Sequence, residues 1–159
     1  MPRVFSLNGD EWDRVEDRPG WRSKDAWVGA HVDAELLGAS MYELEPGDRL
    51  WPYHTHHANE EWAIVLRGRP TLRTVDGEQE LREGDVVAFP RGERGAHQIS
   101  NRTNAAIRVL MLSTLLSPDV IEYLDSGQIS AVDATGKRLF RMMRGEPAEY
   151  WDGEAPRPA

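Results

Sequence analysis

The sequence predicts an all-β fold, either a sandwich or a barrel of short strands. Between residues 36 and 116, short apolar runs recur, and each is closed by glycine, proline, aspartate or asparagine. One closure, Asp76-Gly77, is a typical hairpin signal. No stretch of this region keeps a helical period over a window of about 11 residues. Many short strands at nearly regular spacing are typical of sandwiches and barrels.

The first segment, residues 1–35, is polar, has a turn at Arg18-Pro19-Gly20 and shows no sustained period. It carries three tryptophans, Trp12, Trp21 and Trp27. We expect an irregular N-terminal arm that packs these rings on the outside of a core.

The second segment, residues 36–116, contains the predicted strands and forms the β-barrel domain. Turn residues separate consecutive runs, as in Glu45-Pro46-Gly47-Asp48 and Pro90-Arg91-Gly92. The runs predicted as strands are Leu37–Leu44, Trp62–Leu66, Thr71–Val75, Glu80–Arg82, Val86–Phe89, His97–Ser100 and Ile107–Leu116.

The third segment, residues 117–159, is expected to be a short C-terminal extension that packs on the barrel. Ser117 is a candidate helix cap, so Asp119 to Leu124 is predicted as a helical turn. The remainder is polar and predicted to be extended, with a loose end at residues 153–159.

Composition limits the classes of partner. A chain of 159 residues fits one domain. The formal net charge of −8 disfavours nucleic acid and anionic membrane surfaces. No apolar run approaches the ~20 residues of a membrane span, and the first residues lack the apolar core of a signal peptide. We therefore expect a cytoplasmic protein. With no cysteine, a metal must be held by nitrogen and oxygen ligands.

Three of the five histidines fall in His54-Thr55-His56-His57. Side chains alternate faces along a strand, so His54 and His56 should project together. Glu61 opens the next run after a reversal, and His97 begins a later strand that can face the first pair across a barrel. A carboxylate beside neutral imidazoles suits Fe(II), Mn(II), Ni(II), Co(II) or Zn(II) better than Cu(I).

Two motifs in these residues resemble those of the cupin superfamily. Gly47, His54-Thr55-His56, Glu61 and Gly68 resemble the first cupin motif. The residues that resemble the second are Gly84-Asp85, Phe89-Pro90, Gly92, His97 and Asn101. The resemblance covers about residues 40–114, and the chain end, from Tyr150 to Glu154, is similar to that of small single-domain bacterial cupins.

The resemblance implies a double-stranded β-helix, or jelly-roll barrel, that holds one divalent transition metal through His54, His56, Glu61 and His97. The loops before His54 and before His97 are longer than the family pattern by one and two residues. Glu60 could take the place of Glu61, and His57 remains a possible substitute ligand.

Alternation from the ligands predicts an apolar pocket. Trp51 and Tyr53 are expected near its mouth. The residues expected to face inward are Ala63, Val65, Ile99, Ile107, Val109 and Met111. Such a lining favours a small organic substrate over a phosphosugar, which would need an inward cation. The candidates for that cation are Arg73 and Arg102.

The predicted function is that of a small-molecule metalloenzyme with a 3-His-1-Glu site, foremost a dioxygenase-type oxidoreductase with iron. Two alternatives stay open: a non-catalytic module that binds or senses a small ligand, and a metal-assisted isomerase or lyase that uses zinc, nickel, manganese or cobalt. No catalytic residue beyond the ligands can be named. We also expect a homodimer, with the N-terminal arm as a pairing element.

Overall fold

The computed structural model describes residues 1–133 and 135–146, and these residues form two antiparallel β-sheets. In chain order the elements are β1 (Arg14–Glu16), β2 (Ser23–Ala26), α1 (Val28–His31), β3 (Leu37–Leu44), β4 (Arg49–His56), β5 (Glu61–Arg67), β6 (Thr71–Thr74), β7 (Gly77–Glu80), β8 (Val86–Phe89), a 3-10 turn (Glu93–Gly95), β9 (His97–Ser100), β10 (Ile107–Thr114), β11 (Asp119–Tyr123), β12 (Gln128–Val132) and β13 (Arg138–Met143).

Each sheet mixes strands from distant parts of the chain. The first sheet has the order β1-β2-β3-β10-β5-β8, and the second has the order β13-β12-β11-β4-β9-β6-β7. Sequence neighbours β4 and β5 lie in opposite sheets, as do β8 and β9. This crossing between two packed sheets is the jelly-roll arrangement, and the all-β prediction is confirmed.

The main core lies between the sheets. It contains the inward-facing residues Leu44, Leu50, Ala63, Val65, Leu72, Leu81, Phe89, Ile99, Ile107 and Val109. Alternation along β5 puts Ala63 and Val65 inside, while Trp62 on the other face stays exposed. Glycine is required at Gly68, where φ is +83° and a Cβ would press on Ile107.

A second cluster lies on the outer face of the first sheet. Ala26, Val28, Met41 and Leu110 are buried there, and the N-terminal residues Phe5, Leu7 and Trp12 pack over them. The first 35 residues thus cover apolar surface, as predicted for Trp12, but Trp27 is half exposed. The segment also contains β1, β2 and α1, which the sequence pattern did not reveal.

The C-terminal segment differs from the prediction at its start. Asp119 to Tyr123 is strand β11, which pairs with both β4 and β12, and it is not a helical turn. The tertiary pairing overrides the weak helical signal of a six-residue run. The predicted extension 117–159 is described through residue 146, and its last part, including the Tyr150 to Glu154 resemblance, lies outside the described residues. Among the described residues, no helix is long and apolar enough to cross a membrane.

Candidate metal centre

Three histidines and one glutamate meet at the open end of the barrel. His54 and His56 lie on β4, Glu61 begins β5 and His97 begins β9. The His54 ring centroid lies 5.1 Å from that of His56 and 4.8 Å from that of His97. Glu61 Oε2 lies 3.4 Å from His56 Nε2 and 3.5 Å from His97 Nε2. The structure thus brings the four predicted ligand residues together.

The hydrogen bonds of the imidazoles fix which nitrogen faces the cluster. His54 Nδ1 donates to the Pro52 carbonyl at 2.8 Å, and His97 Nδ1 donates to the Gly95 carbonyl at 2.9 Å. A carbonyl oxygen only accepts, so both Nδ1 atoms carry the proton and both Nε2 atoms offer a lone pair. Phe89 stacks on His97 at 3.8 Å between ring centroids and holds that ring in place.

His56 is oriented by the carboxylate of Asp119, which the sequence did not predict as part of the site. Its Nδ1 lies 2.6 Å from Asp119 Oδ2, and Asp119 also accepts hydrogen bonds from the Ala58 amide and the Asn59 side chain. Asp119 is buried, and it reaches the site because β11 pairs with β4. The sequence shows a carboxylate, Asp119, directly after Ser117-Pro118. Only the tertiary structure shows that this segment pairs with β4.

Burial and these contacts set the protonation of the cluster. Burial and the neighbouring imidazoles lower the pKa of His54 to about 3, and burial lowers the pKa of His97 to about 4. Both rings are neutral at neutral pH, as metal ligation requires. Burial acts to lower the pKa of His56, but the hydrogen bond to Asp119 and the negative charges of Glu61 and Asp119 together outweigh burial, so the pKa is raised. Burial also raises the pKa of Glu61.

The donor set fits a divalent cation. Glu61 Oε2 is buried, and no hydrogen-bond donor reaches it within the part of the chain that the structure describes. Ligand atoms of His54, His56 and Glu61 all lie within 4.8 Å of one another. Donors that each sit ~2.1 Å from one ion lie about 3–3.5 Å apart, so the Glu61 to histidine distances match a shared ion. A bound cation would provide the partner that the buried carboxylate oxygen lacks.

The two alternative ligands point elsewhere. Glu60 is exposed and accepts a hydrogen bond from Trp62 Nε1 at 2.9 Å. His57 is turned towards Glu122, with 3.6 Å between His57 Nε2 and Glu122 Oε2. Neither side chain takes part in the cluster.

A small chamber of about 40 Å³ lies directly above the cluster. This volume holds roughly one to three water-sized groups. Its lining includes Trp51, Ile99 and Met111, as expected for the pocket, together with Tyr42 and Leu50, which were not anticipated. Burial raises the pKa of the Tyr42 phenol, which therefore stays protonated at neutral pH.

The other residues expected in the pocket are not part of the chamber wall. Ala63, Val65, Ile107 and Val109 face inward but fill the core below the site. Tyr53 is buried under the guanidinium of Arg73, 4.0 Å from its ring centroid, on the other face of β4. Alternation gives the face of a residue, but it does not give its depth in the barrel.

Trp51 stands where the chamber meets the outside. Its φ of +55° is in the left-handed region, at a register shift between β4 and β9. Trp51 packs edge-on against Tyr42 at 6.0 Å, and its carbonyl accepts a hydrogen bond from Gln98. The irregularity turns the Trp51 ring into the entrance, where it borders both the chamber and an outer cleft.

The outer cleft has a volume of about 730 Å³ and is bordered by several charged side chains. Arginines absent from the sequence prediction border it, among them Arg49 and Arg141. Arg73 and Arg102, the candidates for an inward-facing cation, instead form exposed ion pairs with Asp125 and Glu78 respectively. The entrance therefore carries arginine side chains that the expectation of an apolar pocket did not include.

Comparisons with known proteins agree with this picture. Residues 40–113 match the family described as the cupin domain. Two solved structures are similar over most of both chains. A sugar phosphate isomerase of the cupin superfamily from Silicibacter pomeroyi DSS-3 has 27% identity and a TM-score of 0.72, with 80% of this chain and 81% of that chain covered.

The second is a provisionally named sugar phosphate isomerase from Acidithiobacillus ferrooxidans ATCC 23270. It has 28% identity and a TM-score of 0.71, with 79% of this chain and 78% of that chain covered. A predicted oxalate decarboxylase from Thermotoga maritima, with 22% identity, a TM-score of 0.52, and 60% and 82% of the two chains covered, shares the fold. No curated protein matches this chain.

Proposed function

Because this chain is a small cupin-domain protein, we propose that it is a metal-dependent isomerase acting on a small sugar-like hydroxy-carbonyl compound. The observation that carries the proposal is the unpartnered Glu61 oxygen among three imidazoles, at the base of a chamber that adjoins the outer cleft. The two similar structures named as sugar phosphate isomerases support the choice of reaction class.

In this proposal, His54, His56, Glu61 and His97 hold one divalent metal ion. A bound divalent ion supplies Lewis acidity towards a carbonyl or hydroxyl oxygen. An isomerase uses this chemistry with Zn(II), Mn(II), Ni(II), Co(II) or Fe(II), because no change of oxidation state is involved.

The chamber admits only the reacting end of a substrate. Its volume of about 40 Å³ accommodates a group such as a carbonyl with its neighbouring carbon, while the rest of the molecule lies in the outer cleft. The apolar side chains Leu50, Ile99 and Met111 exclude bulk water from that end. Water exclusion strengthens every polar contact made inside the chamber.

Two oxygen acid–base groups line the chamber. The Tyr42 phenol, whose pKa is raised by burial, is a hydrogen-bond donor to a substrate oxygen and not a base. Glu61 Oε2 is the unpartnered atom assigned to the metal, so in this proposal the other oxygen of the same carboxylate would take a proton from the carbon next to the carbonyl. Delivery of that proton to the former carbonyl carbon, with the hydroxyl proton moving to the former carbonyl oxygen, would complete the interconversion.

The test combines elemental analysis with a proton-exchange assay. Untagged protein purified without chelators or nickel resin should contain about one metal ion per chain. Incubated without oxygen in D2O with a panel of aldose and ketose phosphates, it should place deuterium beside the carbonyl, as followed by NMR. Glu61→Gln should slow the exchange by at least about 100-fold.

Glu60→Gln is the matched control, because Glu60 is the neighbouring carboxylate outside the cluster. It should leave both metal content and exchange unchanged. If the protein takes up no metal even after reconstitution, or if exchange proceeds equally well in chelated protein, the proposal is wrong.

A dioxygenase is the second candidate, favoured by the ligand set itself. Three imidazoles and one carboxylate leave one or two open positions on a five- or six-coordinate ion, which suits O2 chemistry with iron. Near-stoichiometric iron together with substrate-dependent O2 uptake would select this candidate. Turnover without O2 would exclude it.

A further inference from the structure

The outer cleft concentrates positive charge at the entrance to the chamber. The chain as a whole carries a formal net charge of −8. The cleft is nevertheless bordered by the four arginines Arg18, Arg49, Arg138 and Arg141. Among the described residues, none of these four guanidinium groups forms an ion pair with a carboxylate.

Three carboxylates also border the cleft: Glu61 belongs to the candidate metal centre, and the other two have arginine partners outside the cleft. Glu16 Oε2 lies 3.2 Å from Arg14, and Asp125 receives two hydrogen bonds from Arg73 at 2.7 and 2.8 Å. Neither forms an ion pair with a cleft arginine; the pKa of Asp125 is lowered chiefly by its hydrogen bonds to Arg73 and in smaller part by the charge of Arg49. The local excess of positive charge is therefore left for a ligand.

Aromatic rings support two of the arginines. The Arg49 guanidinium lies over Trp21, 6.0 Å from the ring centroid, and the Arg49 amide donates to the Gly20 carbonyl. The Arg141 guanidinium lies over Tyr123 at 4.9 Å and donates to the Tyr123 hydroxyl at 2.7 Å. Such contacts restrict the side chains, while most guanidinium N–H groups stay available to an anion.

The Arg141 contact leads directly to the candidate metal centre. Tyr123 is paired with His54 across β11 and β4, and the two rings stack at 6.1 Å with an interplanar angle of 25°. One aromatic ring thus separates the Arg141 guanidinium from a candidate ligand. Arg141 and the candidate ligands His54, His56 and Glu61 border the same cleft.

A β-bulge puts Arg138 and Arg141 on the same side. These residues are three apart, so regular alternation would place them on opposite faces of β13. Between β12 and β13 the register shifts, with Val132 opposite Arg138 and Ala131 opposite Phe140, which leaves Leu139 as the extra residue. The bulge turns both arginines towards the cleft.

We propose that this arginine cleft is a phosphate subsite, in which Arg49 and Arg141 hold the phosphate monoester group of the substrate while its other end enters the chamber. The proposal rests on the proposed function for the identity of that substrate. A phosphate dianion has three terminal oxygens, so it can be bound by more than one guanidinium fork at once. A carboxylate has only two oxygens and one negative charge, so we expect it to bind in this cleft more weakly than a phosphate dianion.

Inorganic phosphate is the probe, titrated calorimetrically into protein from which metal has been removed and the chelator washed out. Metal-free protein isolates the cleft from the candidate metal centre. Wild-type protein should bind phosphate more tightly than acetate. Arg49→Gln and Arg141→Gln should each weaken phosphate binding about tenfold, the effect of losing one charge-assisted contact.

Arg102→Gln is the matched control, since it removes the same charge from an exposed ion pair outside the cleft. It should bind phosphate like the wild type, and the thermal melts of all variants should coincide. The inference is overturned if wild-type protein gives no heat up to about 20 mM phosphate. It is equally overturned if a double variant that combines Arg49→Gln with Arg141→Gln binds like the wild type, or if acetate binds as tightly as phosphate.

The result is separable from the test of the proposed function. Phosphate binding that depends on the arginines, in a protein that never exchanges substrate protons, would leave the subsite in place and remove the isomerase. If the protein exchanges substrate protons in a metal-dependent way but the arginine variants bind phosphate like the wild type, the isomerase proposal stands and the phosphate subsite is wrong.

Discussion

Single residues outside the cluster orient the imidazoles that would bind the metal. The Pro52 and Gly95 carbonyls fix the tautomers of His54 and His97, and Asp119 does the same for His56. A metal ligand whose second nitrogen is fixed loses less rotational freedom on binding and is a stronger donor when that partner is a carboxylate. The acceptors at the second nitrogen of each imidazole therefore help to set the metal affinity of the site, along with the ligands themselves.

Replacing Asp119 by asparagine should weaken metal binding about 10–100-fold, because His56 would lose a charged acceptor at Nδ1. The affinity can be measured by competition with a metal-binding dye. Asp76→Asn, at an exposed turn position, should leave the affinity unchanged. Equal affinities in the two variants would show that Asp119 does not support the site.

Gly95 is a position where no side chain fits. A Cβ there would collide with the Pro90 carbonyl oxygen, although the backbone angle itself is not in the left-handed region. Gly95→Ala should lower the free energy of unfolding by about 1–3 kcal/mol and displace the acceptor of His97. Gly145→Ala, with open space around it, should change stability by less than about 0.5 kcal/mol. Urea unfolding measures both.

At the scale of elements, the N-terminal arm is tied to the first sheet through Arg108 on β10. Alternation predicts that Arg108 faces outward, and it does, but the arm covers it and it is only 5% exposed. Arg108 donates to the carbonyls of Leu7 and Gly9 and pairs with Asp10 and Glu43. The side chain therefore joins the arm to the sheet.

Arg108→Met should lower the free energy of unfolding by about 2–4 kcal/mol, because Glu43 and two arm carbonyls lose a buried partner. Lys24 and Arg67 still contact Glu43, which limits the loss. The arm should also become more sensitive to limited proteolysis. Arg102→Met, at an exposed ion pair, should cost no more than about 1 kcal/mol. A proteolysis pattern identical to that of the wild type would argue against this role for Arg108.

For the whole molecule, the candidate metal centre lies where the two sheets meet. His54, His56 and His97 belong to the second sheet, and Glu61 belongs to the first. A bound ion would connect the sheets directly, so metal binding and global stability should be linked.

Adding Zn(II) or Mn(II) to chelator-treated protein should raise the melting temperature, by an amount equivalent to ~4 kcal/mol when the metal is at 1,000 times its Kd. Differential scanning calorimetry measures this shift. In His54→Ala the shift should be lost, whereas in His31→Ala, far from the cluster in sequence and engaged with Asp13, it should persist. An identical shift in both variants would indicate metal binding elsewhere.

The homodimer stays a prediction. The arm that was expected to mediate pairing covers the chain's own first sheet, and β1 forms an edge of that sheet. Light scattering should give a mass of twice 18.0 kDa, and a mass near 18.0 kDa would reject the dimer.

The sequence by itself determined the all-β class, the positions of β3, β5, β6, β8, β9 and β10, and the four residues that meet at the cluster. Strand periodicity and the turn residues are local signals, and His54, His56, Glu61 and His97 stand within or at the ends of such strands. Residues 37–44, 86–89 and 97–100 were predicted with the bounds that the structure has.

Only the tertiary structure decided what surrounds those residues. Asp119 reaches His56 through the pairing of β11 with β4, and the cleft arginines come from the N-terminal arm, β4 and β13. Strand pairing over long sequence separations has no local signature, and a bulge such as the one at Leu139 reverses the alternation on which facing is predicted. The local pattern therefore identified the candidate ligands, while the entrance and its charge depended on contacts between distant strands.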